Sequence, residues 1–178
     1  MKKLYLLLCI PLLPLFVQAQ SSNIIESNLC GYYSQLFGYE VKNIKNPKLY
    51  ETIEEWMGTK YLYAGESKEG IDCSGFVSII FDKAYNVSMP ANSKEIYDFS
   101  EPIRTSELKE GDLVFFNTAG HGISHIGVYL GDNRFAHTSF LIGVTVSDLS
   151  NPYFRKTYTA AGRYTGGNNA YSELIQKQ

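Results

Sequence analysis

Ile71-Asp72-Cys73-Ser74-Gly75-Phe76 is the stretch on which the reading of the chain turns. Asp72 is a good helix N-cap, and the apolar run that follows predicts a helix through about Ala84. A cysteine in the first helical turn sits among unpaired backbone N–H groups at the positive end of the helix dipole. Both favour an anion, so the expectation is a nucleophilic thiolate at neutral pH. Two histidines lie downstream, in Ser124-His125-Ile126-Gly127-Val128-Tyr129 and in Phe135-Ala136-His137. A cysteine nucleophile with histidine partners is the raw material of a cysteine hydrolase. Taken singly, each residue has a plainer explanation: a small buried side chain for the cysteine, a satisfied polar group on a strand for either histidine.

The rest of the composition narrows the class. The 178 residues suffice for one domain with a substantial core, and 44% hydrophobic with 19% charged residues is ordinary for a globular chain. Residues 1–19 read differently: Lys2 and Lys3 precede an apolar stretch from Leu4 to Val17, which ends in Val17-Gln18-Ala19. This is the pattern of a signal peptide cleaved after Ala19. Pro11 and Pro14 interrupt the stretch, and it is shorter than a spanning helix, so no stable membrane insertion is expected after cleavage. Leu8 before Cys9 argues against a lipid-anchored lipoprotein.

Losing two lysines takes the formal charge from −2 to −4, and the longest basic run is Arg155-Lys156. Nucleic acid is therefore not an expected partner. The mature chain keeps Cys30 and Cys73, too few for a disulfide framework, and neither Cys-x-x-Cys nor His-Glu-x-x-His occurs. No metal or cofactor is expected. Cys30 reads as a small buried residue, although an exported thiol protein also admits a regulatory Cys30–Cys73 bridge if their Cα atoms lie within about 7 Å.

Along the chain, Leu29, Tyr32, Tyr33, Leu36 and Phe37 predict a short amphipathic helix capped by Asn28 and stopped by Gly38. A second helix opens at Asn46-Pro47 and closes at Gly58, a third follows the cysteine, and a short one begins at Asn92-Ser93. Glu66 to Gly70 reads as a polar loop and Ser106 to Gly111 as a turn. From Asp112 the pattern changes to five β-like runs: Leu113 to Phe116, His125 to Leu130, Arg134 to Thr138, Gly143 to Val146 and Ala160 to Tyr164. A short helix at Asn151-Pro152 separates the last two. Helices first and strands second give an α+β fold: N-terminal helices, with the cysteine helix packed on a mainly antiparallel five-stranded sheet. The domain plan is a signal peptide (1–19), an N-terminal helical extension (20–45), the catalytic domain (46–165) and a loosely held tail (166–178).

Side chains alternate faces along a strand, so His125 and His137 share a face only if residues of equal parity oppose each other. That requires an odd loop, Gly131-Asp132-Asn133, or an equivalent one-residue bulge, with positive φ near Asp132 or Asn133. Leu130 would then oppose Arg134 and Gly127 would oppose His137, the missing side chain of Gly127 leaving room for the two imidazoles to meet.

Four pieces, Asp72-Cys73-Ser74-Gly75-Phe76, Gly111-Asp112-Leu113-Val114-Phe115-Phe116, His125-Ile126-Gly127-Val128-Tyr129-Leu130-Gly131 and Phe135-Ala136-His137, together resemble the NlpC-type cell-wall cysteine peptidases. The resemblance runs from about Trp56 to Tyr164 and is nearest the Spr-type murein endopeptidases. It implies a papain-like fold and hydrolysis of peptide bonds in peptidoglycan stem peptides or their cross-links. It also implies Cys73 as nucleophile, His125 as general base and His137 as the residue that orients His125. Tyr61 and Ser74 are the implied oxyanion or substrate-binding residues. A monomer in the periplasm or extracellular envelope is expected. Two positions depart from the family pattern: Ala64 stands where the first glycine of a pair is usual, and Ala91-Asn92 follows Pro90 where an arginine is usual. His121, in Thr118-Ala119-Gly120-His121-Gly122, reads as a surface or groove-lining residue, and Asp72 as a cap. The competing readings are an acyltransferase or amidase on another amide or ester, and a non-catalytic wall-binding module that keeps the fold.

Overall fold

The computed structural model describes residues 13–90 and 92–164, with side chains from Ile25 onward. Most of the expected signal peptide, the tail from residue 166 and the departure at Ala91 thus lie outside the described residues. The chain divides into two compact units, residues 1–45 and 46–178.

In the first unit, helix α1 runs Leu13–Phe37. The expected start at Asn28 is corrected: no proline or stopping turn separates Leu15 from Asn28, so the helix runs through and Asn28 lies inside it. Its expected end holds, at Gly38 with φ +74°. Tyr33 is buried and stacks on Phe37, and Ser34 Oγ accepts from the Val41 N–H at 2.8 Å. Cys30 is buried and forms no disulfide.

The second unit opens on α2 (Pro47–Trp56), capped by Asn46, whose side chain accepts from Lys48 N–H, with Pro47 supplying the preset first helical φ. Leu49, Ile53 and Trp56 bury one face of it. The segment expected as a polar loop contains a small hairpin, β1 (Glu66–Ser67) with β2 (Gly70–Ile71), too short to carry an alternation signal. Helix α3 (Cys73–Tyr85) follows and buries Phe76, Val77, Ile80 and Phe81. It ends at Asn86, which takes the left-handed conformation at φ 55°. Helix α4 (Ser93–Asp98) is capped by Asn92.

The sheet has six strands, not five. In chain order they are β3 (Glu101–Ile103), β4 (Leu113–Phe116), β5 (His125–Gly131), β6 (Arg134–Ser139), β7 (Gly143–Asp148) and β8 (Tyr158–Arg163), with helix α5 (Pro152–Thr157) before the last. Their order across the sheet is β3-β8-β4-β5-β6-β7, and every neighbouring pair is antiparallel. The added strand is three residues long and contains Pro102, which no central strand tolerates; it sits at the sheet edge, where proline is admissible. Helix α3 packs on β5 and β6. Arg163 at the end of β8 donates two 2.7 Å hydrogen bonds to the buried Asp112 carboxylate just before β4, a charge-assisted pair that fixes the register of these strands.

The β5–β6 connection realises the bulged alternative. Val128 opposes Ala136 and Tyr129 opposes Phe135, but Gly131 opposes Arg134, so one extra residue lies in β5 at Leu130. Asp132 and Asn133 make the turn at φ 45° and 62°. Equal parity is therefore kept, and His125 and His137 share a face.

Candidate functional site

Cys73 opens α3, and Asp72 builds that opening. One oxygen of Asp72, Oδ1, accepts from Gly75 N–H at 2.7 Å and from the Ser74 hydroxyl at 2.9 Å; the other, Oδ2, accepts from Ala64 N–H at 3.1 Å. From β6, Thr138 Oγ1 donates to the Asp72 carbonyl at 3.2 Å and ties the helix start to the sheet. Asp72 is thus the expected cap. Ser74 is buried with its hydroxyl committed to Asp72, which leaves its backbone N–H as the group it presents to the sulfur.

Cys73 is free and 8% exposed. Burial, with the Asp72 carboxylate beside it, pushes its thiol up to about 11, against the backbone N–H groups of Ile126, Ser74 and Cys73 itself. Burial and Asp72 thus oppose the thiolate that the helix start favours. Burial likewise lowers His125 to about 4.

His125 and His137 meet as the register requires. His125 Nε2 lies 2.9 Å from His137 Nδ1, with the rings nearly perpendicular. Gly127 makes this contact possible, because a Cβ there would fall 2.7 Å from Ala136 O and 3.3 Å from His137 Cβ. His137 is 3% exposed, stacks on Phe135 and meets Phe154 of α5 edge-on. Burial first, then the neighbouring His125, holds it well below the usual histidine range. Its second nitrogen, Nε2, lies 2.9 Å from Ser147 Oγ on β7.

Cys73, His125, His137 and Tyr61 line one cavity of about 670 Å³, a size that accepts several residues of a peptide. Tyr61 is joined to Ile71 by an isolated parallel bridge and packs its ring against Phe140 at 5.3 Å. Burial raises its hydroxyl pKa, and so do Cys73 and Asp72, which are close enough to act on it. Phe140 and Leu141, strongly exposed in the β6–β7 loop, continue this wall. His121 is exposed, its Nδ1 3.0 Å from the carbonyl of Ala119 in its own loop. Sequence reasoning missed Ser147, Phe140, Leu141 and Phe154. The alternation that pairs His125 with His137 would have reached Ser147 had the β6–β7 register been readable.

A cysteine at a helix start, packed on an antiparallel sheet whose strands carry two touching histidines, is the arrangement of a papain-like α+β fold. The chain belongs to the NlpC/P60 family, whose pattern matches residues 58–163. It is 35% identical over 143 residues to the probable endopeptidase NlpC homolog of Haemophilus influenzae, covering 80% of this chain and 76% of that protein. It is 35% identical over 124 residues to the murein DD-endopeptidase MepS/murein LD-carboxypeptidase of Escherichia coli K12, covering 69% of this chain and 65% of that one. Among solved structures, an NlpC/P60 family protein from Bacillus cereus superposes with a TM-score of 0.60 at 30% identity, over 68% of this chain and 42% of that one.

Proposed function

We propose that this protein is an exported cysteine endopeptidase that hydrolyses peptide bonds of peptidoglycan, with Cys73 as nucleophile, His125 as base and His137 as the residue that orients it. The observation that carries the reading is the 2.9 Å contact between His125 Nε2 and His137 Nδ1 beside a buried helix-start cysteine. It leaves His125 Nδ1 as the nitrogen for the thiol proton.

Sulfur attacks the scissile carbonyl while its proton passes to His125 Nδ1. The transfer accompanies attack, because burial disfavours the charged form of each group before substrate is engaged. The carbonyl oxygen becomes an oxyanion within reach of the helix-start N–H groups and the Tyr61 hydroxyl, donors whose value is greatest where water is excluded. The tetrahedral intermediate then collapses: the C–N bond breaks and the imidazolium returns its proton to the leaving amine. A thioester remains on Cys73, and water, deprotonated by the same imidazole, releases the acid.

Murein is the substrate assigned because MepS, at 35% identity, is named a murein DD-endopeptidase. The same name and the Spr-type resemblance favour the cross-link as the bond cut. Residues 1–19 act as the export signal, the site of action is the bacterial envelope, and the enzyme works as a monomer. No helix among the described residues is long and apolar enough to cross a membrane.

The test is mass spectrometry of products from purified peptidoglycan treated with residues 20–178 and with the same chain carrying Cys73→Ala. Cleaved cross-links are expected with the former, and a loss on the order of 10⁵-fold with the latter. A folded Cys73→Ala protein that still cuts would sink the assignment.

A further inference from the structure

The row of polar contacts continues past His137. In the β6–β7 ladder His137 opposes Thr145, so Ser147 lies two positions along β7 on the same face. His125 is displaced from His137 by the same two-residue step. His125, His137 and Ser147 therefore form a diagonal row across three adjacent strands, with contacts of 2.9 Å and 2.9 Å.

A neutral imidazole carries one proton on one of two nitrogens, and the row allows two arrangements. With the His137 proton on Nδ1, it donates to His125 Nε2; the proton of His125 must then sit on Nδ1, the nitrogen needed to accept from Cys73. With the His137 proton on Nε2, its Nδ1 accepts from His125 Nε2–H and His125 Nδ1 stays open as a base. We infer that Ser147 selects the second arrangement by accepting a hydrogen bond from His137 Nε2–H, and is the positioning residue that keeps His125 in its base-competent tautomer. The inference gains its catalytic meaning from the peptidase reading above.

The surroundings make the choice depend on Ser147. His137 is 3% exposed, with Phe135 stacked on it at 4.9 Å and Phe154 edge-on at 5.3 Å. The Thr138 backbone also acts on the His137 ring, but without the serine oxygen an Nε2–H loses its side-chain acceptor, and a buried donor short of a partner is disfavoured. The proton then moves to Nδ1, where His125 Nε2 receives it, and the base is closed. When His125 takes the thiol proton, His137 Nδ1 accepts from the imidazolium, and the serine dipole polarises His137 in the same direction.

The test reads the tautomer directly. The chain has three histidines, so ring-nitrogen NMR of histidine-labelled protein is assignable, with His121→Gln removing the exposed one. At neutral pH the wild-type His137 is expected to show a protonated Nε2 and a lone-pair Nδ1. Ser147→Ala should reverse the two and lower kcat by about ten-fold with KM little changed, while Ser147→Thr should keep the wild-type shifts and stay within about two-fold. A wild-type His137 protonated on Nδ1 overturns the inference, as does a Ser147→Ala protein with unchanged shifts and kcat. The wild-type spectrum decides even where the alanine variant fails to fold. Because the shifts need no substrate, their failure is distinct from a failure to cut peptidoglycan.

Discussion

The two halves of the site are positioned by different physics. His125, His137 and Ser147 stand on ladder positions of β5, β6 and β7, where backbone pairing sets the register and alternation sets the face. Cys73 follows a segment, residues 58–72, whose regular structure is a hairpin of two-residue strands and which is otherwise fixed by single hydrogen bonds. Gly58 N–H bonds to Val144 O, Ile71 N–H to Lys60 O, Asp72 N–H to Gly65 O, and the Asp72 carboxylate gathers three donors. The ladder half should therefore be broken by lost groups or added bulk. The irregular half should respond to relief or increase of backbone strain.

Apart from loss of the nucleophile itself, the largest effect is expected on the ladder. His125→Ala should lower kcat/KM by about 10³-fold, because it removes both the acceptor of the thiol proton and the donor to the leaving amine. His137→Ala should cost about 10²-fold, since it leaves the base present but unoriented, and His121→Ala should stay within about two-fold. Steady-state rates on one muropeptide rank the three. His121→Ala more damaging than His125→Ala would show that the base is misassigned.

Burial of the ladder histidines also carries a stability signature. His125 is lowered from 6.5 to about 4, and His137 well below its usual value. With a depressed folded-state pKa, the unfolded chain binds the proton first. The stability is thus fully present above pH 6.5 and is lost as pH falls toward the folded value. For His125 this is roughly 3 kcal/mol at about 1.36 kcal/mol per pKa unit, with His137 adding in the same direction. Urea unfolding at pH 7, 5.5 and 4 measures it. A midpoint that does not move between pH 6.5 and 4 would show that these imidazoles are not held neutral, and His125→Gln should flatten the slope.

Added bulk should be felt at Gly127. A Cβ there falls 2.6 Å from Phe135 Cδ2 and 2.7 Å from Ala136 O, and the second of these is backbone in the same ladder. Gly127→Ala should therefore destabilise by about 1–3 kcal/mol and separate His125 from His137. Thermal melting together with the ring-nitrogen shifts would report both, and an unchanged melting temperature would mean the strand yields more easily than its ladder suggests.

Legibility in the sequence follows the same division. The β5–β6 hairpin can be read because Asp132 and Asn133 both tolerate left-handed backbone, and because the need to bring two histidines to one face leaves few registers. The caps at Asn46, Asp72 and Asn92 can be read because each side chain reaches an amide two or three residues on. Ser147 cannot, since the preceding loop carries Phe140, Leu141 and Ile142, three exposed apolar residues with no turn chemistry to set a register. Edge strand β3 is hidden by its proline. The raised thiol pKa is hidden because its first cause is burial, which comes from packing the start of α3 on β5 and β6, strands about fifty residues or more away in sequence.

The smallest effect belongs to the irregular half and runs opposite in sign. Ala64 is held at φ 54°, a left-handed conformation that an alanine enters at a cost of about 1–2 kcal/mol and a glycine enters freely. Its side chain is exposed, so replacing it loses no packing, while its N–H bond to Asp72 Oδ2 is independent of the side chain. Glycine also widens the unfolded ensemble, which offsets about 0.4–1 kcal/mol of the relief. Ala64→Gly should thus raise stability by about 0.5 kcal/mol, whereas Ala64→Val, β-branched at the same φ, should lower it. The urea midpoints of the three proteins settle the order. If glycine proved the least stable, the strain at residue 64 would not exist, and the Asp72 cap alone would account for how the cysteine helix begins.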